Sequence, residues 1–230
     1  ECSPETRKAI RIMAAQNGNS AARVLVTGAG GYIGTTLVPM LLEQNFRVRA
    51  IDRYFFGREL LSEHPNLELI QEDARAIKPE HLAGIDHVID LVAISNDPSG
   101  ELFQNETYAI NHRGRATTAR LAKDAGVKRY VLPSSCSLYG FQEAGVIADE
   151  TTKTNPLTTY AKANEMAEHD VLPLASENFG VIVLRQATGD YAGMVAFFNQ
   201  YAHLDDQAKA VNETLKAIPV DIKPVYPDKV

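Results

Sequence analysis

Apolar and β-branched residues recur along the chain in short runs that alternate with longer segments of helical periodicity. From Arg23 onward these runs predict six strands, with the sequences RVLVT (23–27), RVRAID (47–52), LELIQED (67–73), HVIDLVA (87–93), RYVLPSS (129–135) and VIVLR (181–185). Between them, apolar spacing predicts helices over 32–44, over 102–126 and within 155–180. Strands that are apolar on both faces and separated by helices are typical of a parallel sheet covered on each side. We therefore predict an α/β fold with a doubly wound parallel sheet.

The pattern is less regular at the two ends of the chain. Residues 1–22 predict a short helix over 4–15 and a polar linker, without the apolar core of a signal peptide. After the sixth strand, apolar residues at helical spacing over 204–218 precede a proline-rich tail. We expect an N-terminal extension (1–22), a main domain (23–188) and a small C-terminal helical region (189–230).

Composition restricts the classes of partner. The 230 residues are 45% hydrophobic and 23% charged, which is ordinary for a globular protein with a sizeable core. The formal charge of -6 and the lack of a Lys/Arg cluster argue against nucleic acid, and no apolar run approaches the roughly 20 residues that cross a bilayer. Two distant cysteines and six histidines without metal-ligand spacing predict no disulfide framework, no metal site and a reducing, cytoplasmic location.

The stretch VTGAGGYIG (26–34) places Gly28, Gly31 and Gly34 between the first strand and the first helix. This context is typical of a turn that binds the pyrophosphate of a dinucleotide at a helix N-terminus. Asp52 ends the second strand 18 positions beyond Gly34, close to the offset at which a carboxylate binds a ribose 2′-hydroxyl. Its charge favours NAD over NADP, although the neighbouring Arg53 is a residue that accommodates a 2′-phosphate. We expect the main domain to be a Rossmann-like dinucleotide-binding domain.

Four further stretches accompany the glycine turn: LVAISND (91–97), INHRG (110–114), VLPSSCSLYG (131–140) and NPLTTYAKAN (155–164). With a glycine spacing of three, they resemble the extended short-chain dehydrogenases/reductases, the NAD-dependent epimerase/dehydratase family, over about residues 23–185. The resemblance implies hydride transfer on a nucleotide sugar or related hydroxylated substrate, and a homodimer paired through the helices over 102–126 and 155–178. The cofactor-binding positions that we expect are Gly28, Gly31, Tyr32, Ile33, Gly34, Asp52, Arg53, Asp73, Ala74, Leu91, Ala93, Ser95 and Asn111, the last with a structural role favoured.

The resemblance also implies the catalytic positions. Tyr160 corresponds to the family's acid/base, and Ser135 to the residue that hydrogen-bonds the same substrate oxygen, with Ser134 as a neighbour able to assist. The family's lysine four residues after the tyrosine is replaced by Asn164, which has no charge to stabilise a phenolate. Lys162 lies about 200° around a helix from Tyr160 and does not replace it.

Two departures leave alternatives open. Asn164 is compatible with a natural variant of altered chemistry, with an inactivating substitution, or with a non-catalytic protein that keeps NAD as a structural or sensing ligand. Downstream of the sixth strand the chain reads RQATGDYAGM instead of the family's VYGP-like turn. Either the substrate-binding region is reduced or segments lie outside this chain, and the identity of the substrate is not defined by the sequence.

Overall fold

The computed structural model of the protein describes residues 22–142 and 147–186. Six parallel strands form one sheet in the order β3-β2-β1-β4-β5-β6, the order of a doubly wound Rossmann-like fold. The strands are β1 (Arg23–Thr27), β2 (Arg47–Asp52), β3 (Leu67–Gln71), β4 (His87–Asp90), β5 (Arg129–Ser135) and β6 (Gly180–Gln186). The helices expected over 4–15 and 204–218 lie outside the described residues, as do most of the proposed terminal regions.

The sheet is buried on both faces because successive side chains of each strand point to opposite sides. In β1, Val24 and Val26 belong to one core cluster and Leu25 to the other. The first cluster packs under α1 (Tyr32–Glu43), and the second packs under α5 (Arg115–Asp124) and α6 (Thr159–Val171). This two-sided burial confirms the covered parallel sheet that the apolar strands predict.

Helix α1 contains Pro39 and continues through it to Glu43. The largest difference concerns the single helix expected over 102–126. The chain instead forms three α-helices, α3 (Asp97–Leu102), α4 (Gln104–Thr107) and α5, with the π-helical segment Tyr108–Gly114 between the last two. Phe103, with φ -125° and ψ 54°, leaves the helical region and separates α3 from α4.

Two strands end earlier than we expected. After β3, Asp73 leaves the sheet and caps the 3₁₀ turn Ala74–Ala76, accepting the N–H of Arg75. After β4, residues 91–94 leave the sheet and form one wall of a cleft. The only other short α-helix of the described chain, α2 (Pro79–Leu82), precedes β4. Residues 72–73 and 91–93, which we expected to continue these strands, therefore lie at the carboxyl edge of the sheet. Ligands bind at this edge in open α/β folds.

Candidate active site

The glycine turn between β1 and α1 is built for close backbone approach. Gly28 has φ +67°, and a Cβ there would lie 2.7 Å from the backbone N of Val92. At Gly34 a Cβ would lie 2.5 Å from the carbonyl oxygens of Gly28 and Ala29. No side chain caps the N-terminus of α1, and its first turn carries no acidic residue. The first-turn N–H groups therefore suit an anionic group such as a pyrophosphate.

Asp52 stands at the carboxyl end of β2 with both oxygens fixed by the backbone. Its Oδ2 accepts the N–H of Gly30 at 3.1 Å, and its Oδ1 accepts the N–H of Tyr54 at 2.6 Å. The Tyr54 hydroxyl donates to the carbonyl of Ala50, while burial and then the charge of Asp52 raise the pKa of Tyr54 to about 12. The carboxylate is thereby held at the cleft in one orientation, as recognition of a ribose diol requires.

Arg53, the alternative site for a 2′-phosphate, is engaged within the protein. Its Nη1 lies 3.3 Å from Oδ2 of Asp73, and its guanidinium stacks 4.5 Å from the ring centre of Phe55. Asp73 in turn accepts two hydrogen bonds from the Arg75 guanidinium, and this hydrogen bonding lowers the pKa of Asp73 to about 2. The positive charge of Arg53 is partly neutralised where a phosphate would need it.

These groups surround one cleft of about 210 Å³ at the carboxyl edge of the sheet. It is lined by eight of the cofactor positions expected from sequence: Gly28, Gly31, Asp52, Arg53, Asp73, Ala74, Leu91 and Ala93. Sequence reasoning missed eight others: Thr27, Ile51, Phe55, Phe56, Glu72, Val92, Ile94 and Ile110. Most of these eight residues directly adjoin an expected position in the sequence, so extending each motif by one or two residues would include them. Ile110 is different because it comes from the π-helical segment.

Five expected cofactor positions do not line this cleft. Tyr32 and Ile33 are exposed in the first turn of α1, Gly34 is buried against the glycine turn, and Ser95 is exposed. Asn111 is fully buried, and its carboxamide accepts the N–H of Ile94 at 2.8 Å and donates to the carbonyl of Ile94 at 2.9 Å. These two hydrogen bonds attach Asn111 to the wall of the cleft.

Ser135 is half-buried at the end of β5, at the same edge of the sheet. Its Oγ accepts hydrogen bonds from the N–H and the hydroxyl of Ser137 at 3.2 and 2.9 Å. Ser134 is buried and donates to the carboxylate of Glu168, which also pairs with Arg185 at 2.7 Å. The Ser134 hydroxyl is directed to this buried ion pair, and the assisting role expected for Ser134 stays a prediction.

Tyr160 lies in the first turn of α6, which packs against both β5 and the turn Cys136–Tyr139 that follows Ser135. Thr158 caps this helix by accepting the N–H of Ala161. From α3, Gly100 approaches so closely that a Cβ there would lie 2.9 Å from the Cβ of Tyr160. The Tyr160 hydroxyl makes no hydrogen bond within residues 22–142 and 147–186, so its position is set by the packing of its helix.

Asn164 is 1% exposed and turned toward the protein interior. Its Nδ2 donates to the carbonyl of Tyr160 at 2.9 Å, and its Oδ1 accepts from the guanidinium of Arg115 at 2.8 Å. Lys162 is exposed, as its angular position on the helix predicts. Sequence reasoning missed Arg115, which carries no motif and lies in a helix where arginine usually faces solvent.

The sheet order, the glycine turn and the fixed carboxylate at the end of β2 define a dinucleotide-binding α/β protein of the Rossmann type. The sequence pattern of the NAD dependent epimerase/dehydratase family matches residues 24–189. The chain belongs to this family. Within the described residues, no helix is long and apolar enough to cross a membrane, and no three His, Cys, Asp or Glu residues group as a metal site would require.

Curated relatives fall into more than one substrate class. A 3-beta-hydroxysteroid dehydrogenase of Mycolicibacterium neoaurum is 32% identical over 160 residues, which are 65% of this chain and 42% of that protein. UDP-arabinose 4-epimerase 1 of Arabidopsis thaliana is 28% identical over 175 residues, 70% of this chain and 42% of that protein. The chain thus spans about two fifths of the length of these relatives.

Solved structures with the same fold include complexes with NAD. MoeE5 bound to UDP-glucuronic acid and NAD superposes with a TM-score of 0.64 at 28% identity, covering 71% of this chain and 54% of MoeE5. WbmG of Bordetella bronchiseptica bound to NAD gives a TM-score of 0.64 at 26% identity, covering 80% of this chain and 60% of WbmG.

Proposed function

We propose that the cleft beside the glycine turn binds NAD in preference to NADP. The observation that carries this proposal is Asp52, whose two oxygens are fixed by the N–H groups of Gly30 and Tyr54. A ribose 2′-hydroxyl can donate to this carboxylate, whereas a 2′-phosphate would be repelled by its charge. Arg53 offers little compensation because Asp73 and Phe55 already engage it. NAD in the structures of MoeE5 and WbmG supports the same choice.

Calorimetric titration of the full chain with NAD and NADP tests this proposal. We expect NAD to bind at least about tenfold more tightly, a difference of about 1.4 kcal/mol. Asp52→Asn removes the negative charge of the side chain but keeps its shape. We expect this variant to reduce the difference between the NAD and NADP affinities, mainly by improving NADP binding. The exposed Asp124→Asn is a matched control and leaves both affinities unchanged. Equal or tighter binding of NADP by the parent chain would contradict the assignment.

We further propose that the protein is an NAD-dependent oxidoreductase, epimerase or dehydratase that acts on a nucleotide sugar or a related hydroxylated substrate. A bound NAD would supply reversible hydride transfer at the carbon that carries the reacting hydroxyl. Tyr160 would hold and release the hydroxyl proton, and Ser135 would hydrogen-bond the same oxygen. Packing of α6 on β5 and on the turn after Ser135 supports this pairing. The UDP-sugar in the MoeE5 structure supports the substrate class.

Turnover is measured as conversion of the substrate, because a hydride that is returned leaves no net NADH. The substrates tested are a panel of UDP-sugars and a 3β-hydroxysteroid, because relatives act on both kinds of substrate. We expect a UDP-sugar to react and Tyr160→Phe to abolish the reaction while leaving NAD affinity within about twofold, since removing a general acid/base mainly lowers the chemical rate. Tyr108→Phe, also half-buried, serves as the control. Turnover of the steroid alone would replace the nucleotide sugar as the substrate class.

A second function is favoured by Asn164. Its buried carboxamide is engaged by Arg115 and by the carbonyl of Tyr160, and it brings no positive charge to the site. In this alternative the protein binds NAD without turning over a substrate and controls a partner through its ligand state. NAD binding without turnover of any substrate in the panel is its expected signature. Turnover that disappears in Tyr160→Phe would exclude it.

We also propose a homodimer paired through α4, α5 and α6. Exposed apolar side chains on and beside these helices, Leu102, Phe103 and Met166, support a covered surface in solution. Light scattering of the full chain should give twice the mass of one chain, and a monomer at micromolar concentration would contradict the pairing. Location in the cytoplasm stays a prediction.

A further inference from the structure

Arg115 is a buried cation that the proposed chemistry does not use. It is the first residue of α5 and only 2% exposed. Its Nε donates to the carbonyl of Val92 at 2.9 Å, and its Nη1 donates to Oδ1 of Asn164 at 2.8 Å. A guanidinium removed from water to this extent needs hydrogen-bond partners and a compensating charge. One of its partners belongs to the cleft wall and the other to the helix of Tyr160.

A buried acidic residue, Asp90 at the end of β4, is linked to the backbone of Arg115 through Tyr130. Asp90 is fully buried, and both of its oxygens accept hydrogen bonds, from the hydroxyls of Thr27 and Tyr130. The Tyr130 hydroxyl also lies 3.1 Å from the carbonyl of Arg115. Burial and the nearby Asp90 raise the pKa of Tyr130, while Arg115 acts in the opposite direction. The acceptor that Asn164 offers to Arg115 is uncharged, so it adds a hydrogen bond without adding a charge.

The contacts of Arg115 connect the two parts of the candidate active site. Val92, whose carbonyl it holds, lines the cleft and stands against Gly28 of the glycine turn. Asn164, on the other side, is bonded to the carbonyl of Tyr160. We propose that Arg115 is a positioning residue that fixes Tyr160 relative to the cofactor cleft, with Asn164 as its required neutral partner. In this arrangement a second cation at position 164 would be buried beside Arg115 and would destabilise the fold. Asn164 is therefore a residue matched to Arg115 and not an inactivating substitution.

This inference rests on the proposed NAD site, but its first test needs no cofactor. Thermal unfolding is measured for Asn164→Lys and Asn164→Met, which have side chains of similar length and differ in charge, each with and without Arg115→Gln. Next to Arg115, we expect Asn164→Lys to unfold about 10 °C below Asn164→Met, because two cations are then buried together. With Arg115→Gln the difference should disappear. An equal difference in both backgrounds would overturn the proposal.

The second test follows Tyr160 itself. With fluorotyrosine incorporated, the Tyr160 resonance is assigned by its loss in Tyr160→Phe. We expect Arg115→Gln to shift this resonance and to weaken NAD binding about tenfold or more. As controls, the resonance of the exposed Tyr32 should not shift, and the far-ultraviolet circular dichroism spectrum should remain that of a folded chain. An unmoved Tyr160 resonance would overturn the positioning role. Failure of the parent chain to bind NAD would instead overturn the proposed function, and the unfolding comparison would still stand.

Discussion

The two halves of the candidate active site are built in different ways. Around the glycine turn, the structure relies on the backbone: a positive φ at Gly28, an uncapped helix N-terminus and two N–H groups that fix Asp52. Around α6, it relies on buried polar side chains, the Glu168–Arg185 ion pair and the Arg115–Asn164 contact. A site made by the backbone tolerates changes of most side chains, whereas a buried polar network fails when one partner is lost.

The largest effect is expected in the side-chain half, from Glu168→Gln. Glu168 is 2% exposed and pairs with Arg185 while accepting from Ser134, so the variant leaves a guanidinium without its charge partner. We expect a loss of about 3 kcal/mol in the free energy of unfolding, measured by urea denaturation. Glu80→Gln is the control, since Glu80 and Lys78 are exposed and 3.9 Å apart, and its effect should stay below about 0.5 kcal/mol. Similar losses in both variants would contradict the distinction.

In the backbone half, Gly28→Ala should cost about 2 kcal/mol of unfolding free energy, because the new Cβ adds a clash with Val92 to the strain of a positive φ. Gly126→Ala is a matched control: Gly126 has φ +78°, but nothing lies within 4 Å of its added Cβ. We expect the control to lose only about 1 kcal/mol of unfolding free energy and to keep its NAD affinity. A control as damaging as Gly28→Ala would show that strain, and not close approach, governs the turn.

Gly100→Ala tests the contact between α3 and Tyr160. Its Cβ would lie 2.9 Å from that of Tyr160, so either the helices separate or Tyr160 moves. We expect a loss of about 1–2 kcal/mol in unfolding free energy and a larger proportional fall in turnover than in NAD affinity. Kinetics and calorimetry on the same preparation measure the two effects. An NAD affinity that falls as much as turnover would mean that the two halves are not independent here.

The smallest expected effect concerns Asp73 and pH. Its folded-state pKa of about 2 lies below the ordinary value of 3.8, so its stabilising contribution is fully present above about pH 4 and is lost as the pH falls toward 2. Because Arg75 is 42% exposed and screened by water, we expect less than about 1 kcal/mol. NMR titration should show the pKa of Asp73 rising toward 3.8 in Arg75→Gln. An unchanged pKa would assign the shift to another group.

The contrast between a half built by the backbone and a half built by buried side chains also explains which features the sequence predicts. Strands β1, β2 and β5 have the predicted limits, since apolar runs bounded by polar or glycine residues report directly on burial. Asp52 and the glycine turn were found because their spacing follows from the backbone path. Arg115 was not found, because burial of an arginine depends on Val92 and Asn164, which are distant in sequence. The break at Phe103 was missed because helical periodicity continues on both sides of it.

In the π-helical segment Tyr108–Gly114, the exact number of residues determines which way the following side chains point. Each residue of an α-helix turns the chain by about 100°, so the number of residues between two anchors sets the direction in which the second one faces. Here Thr107 is anchored to the carbonyl of Phe103, and Asn111 and Arg115 are anchored on the cleft wall. Deleting one residue between Thr107 and Asn111 would keep a helix but rotate both later anchors away from Ile94 and Val92. A deletion of one residue that leaves the helicity intact would thus uncouple the wall of the cleft from the helix of Tyr160.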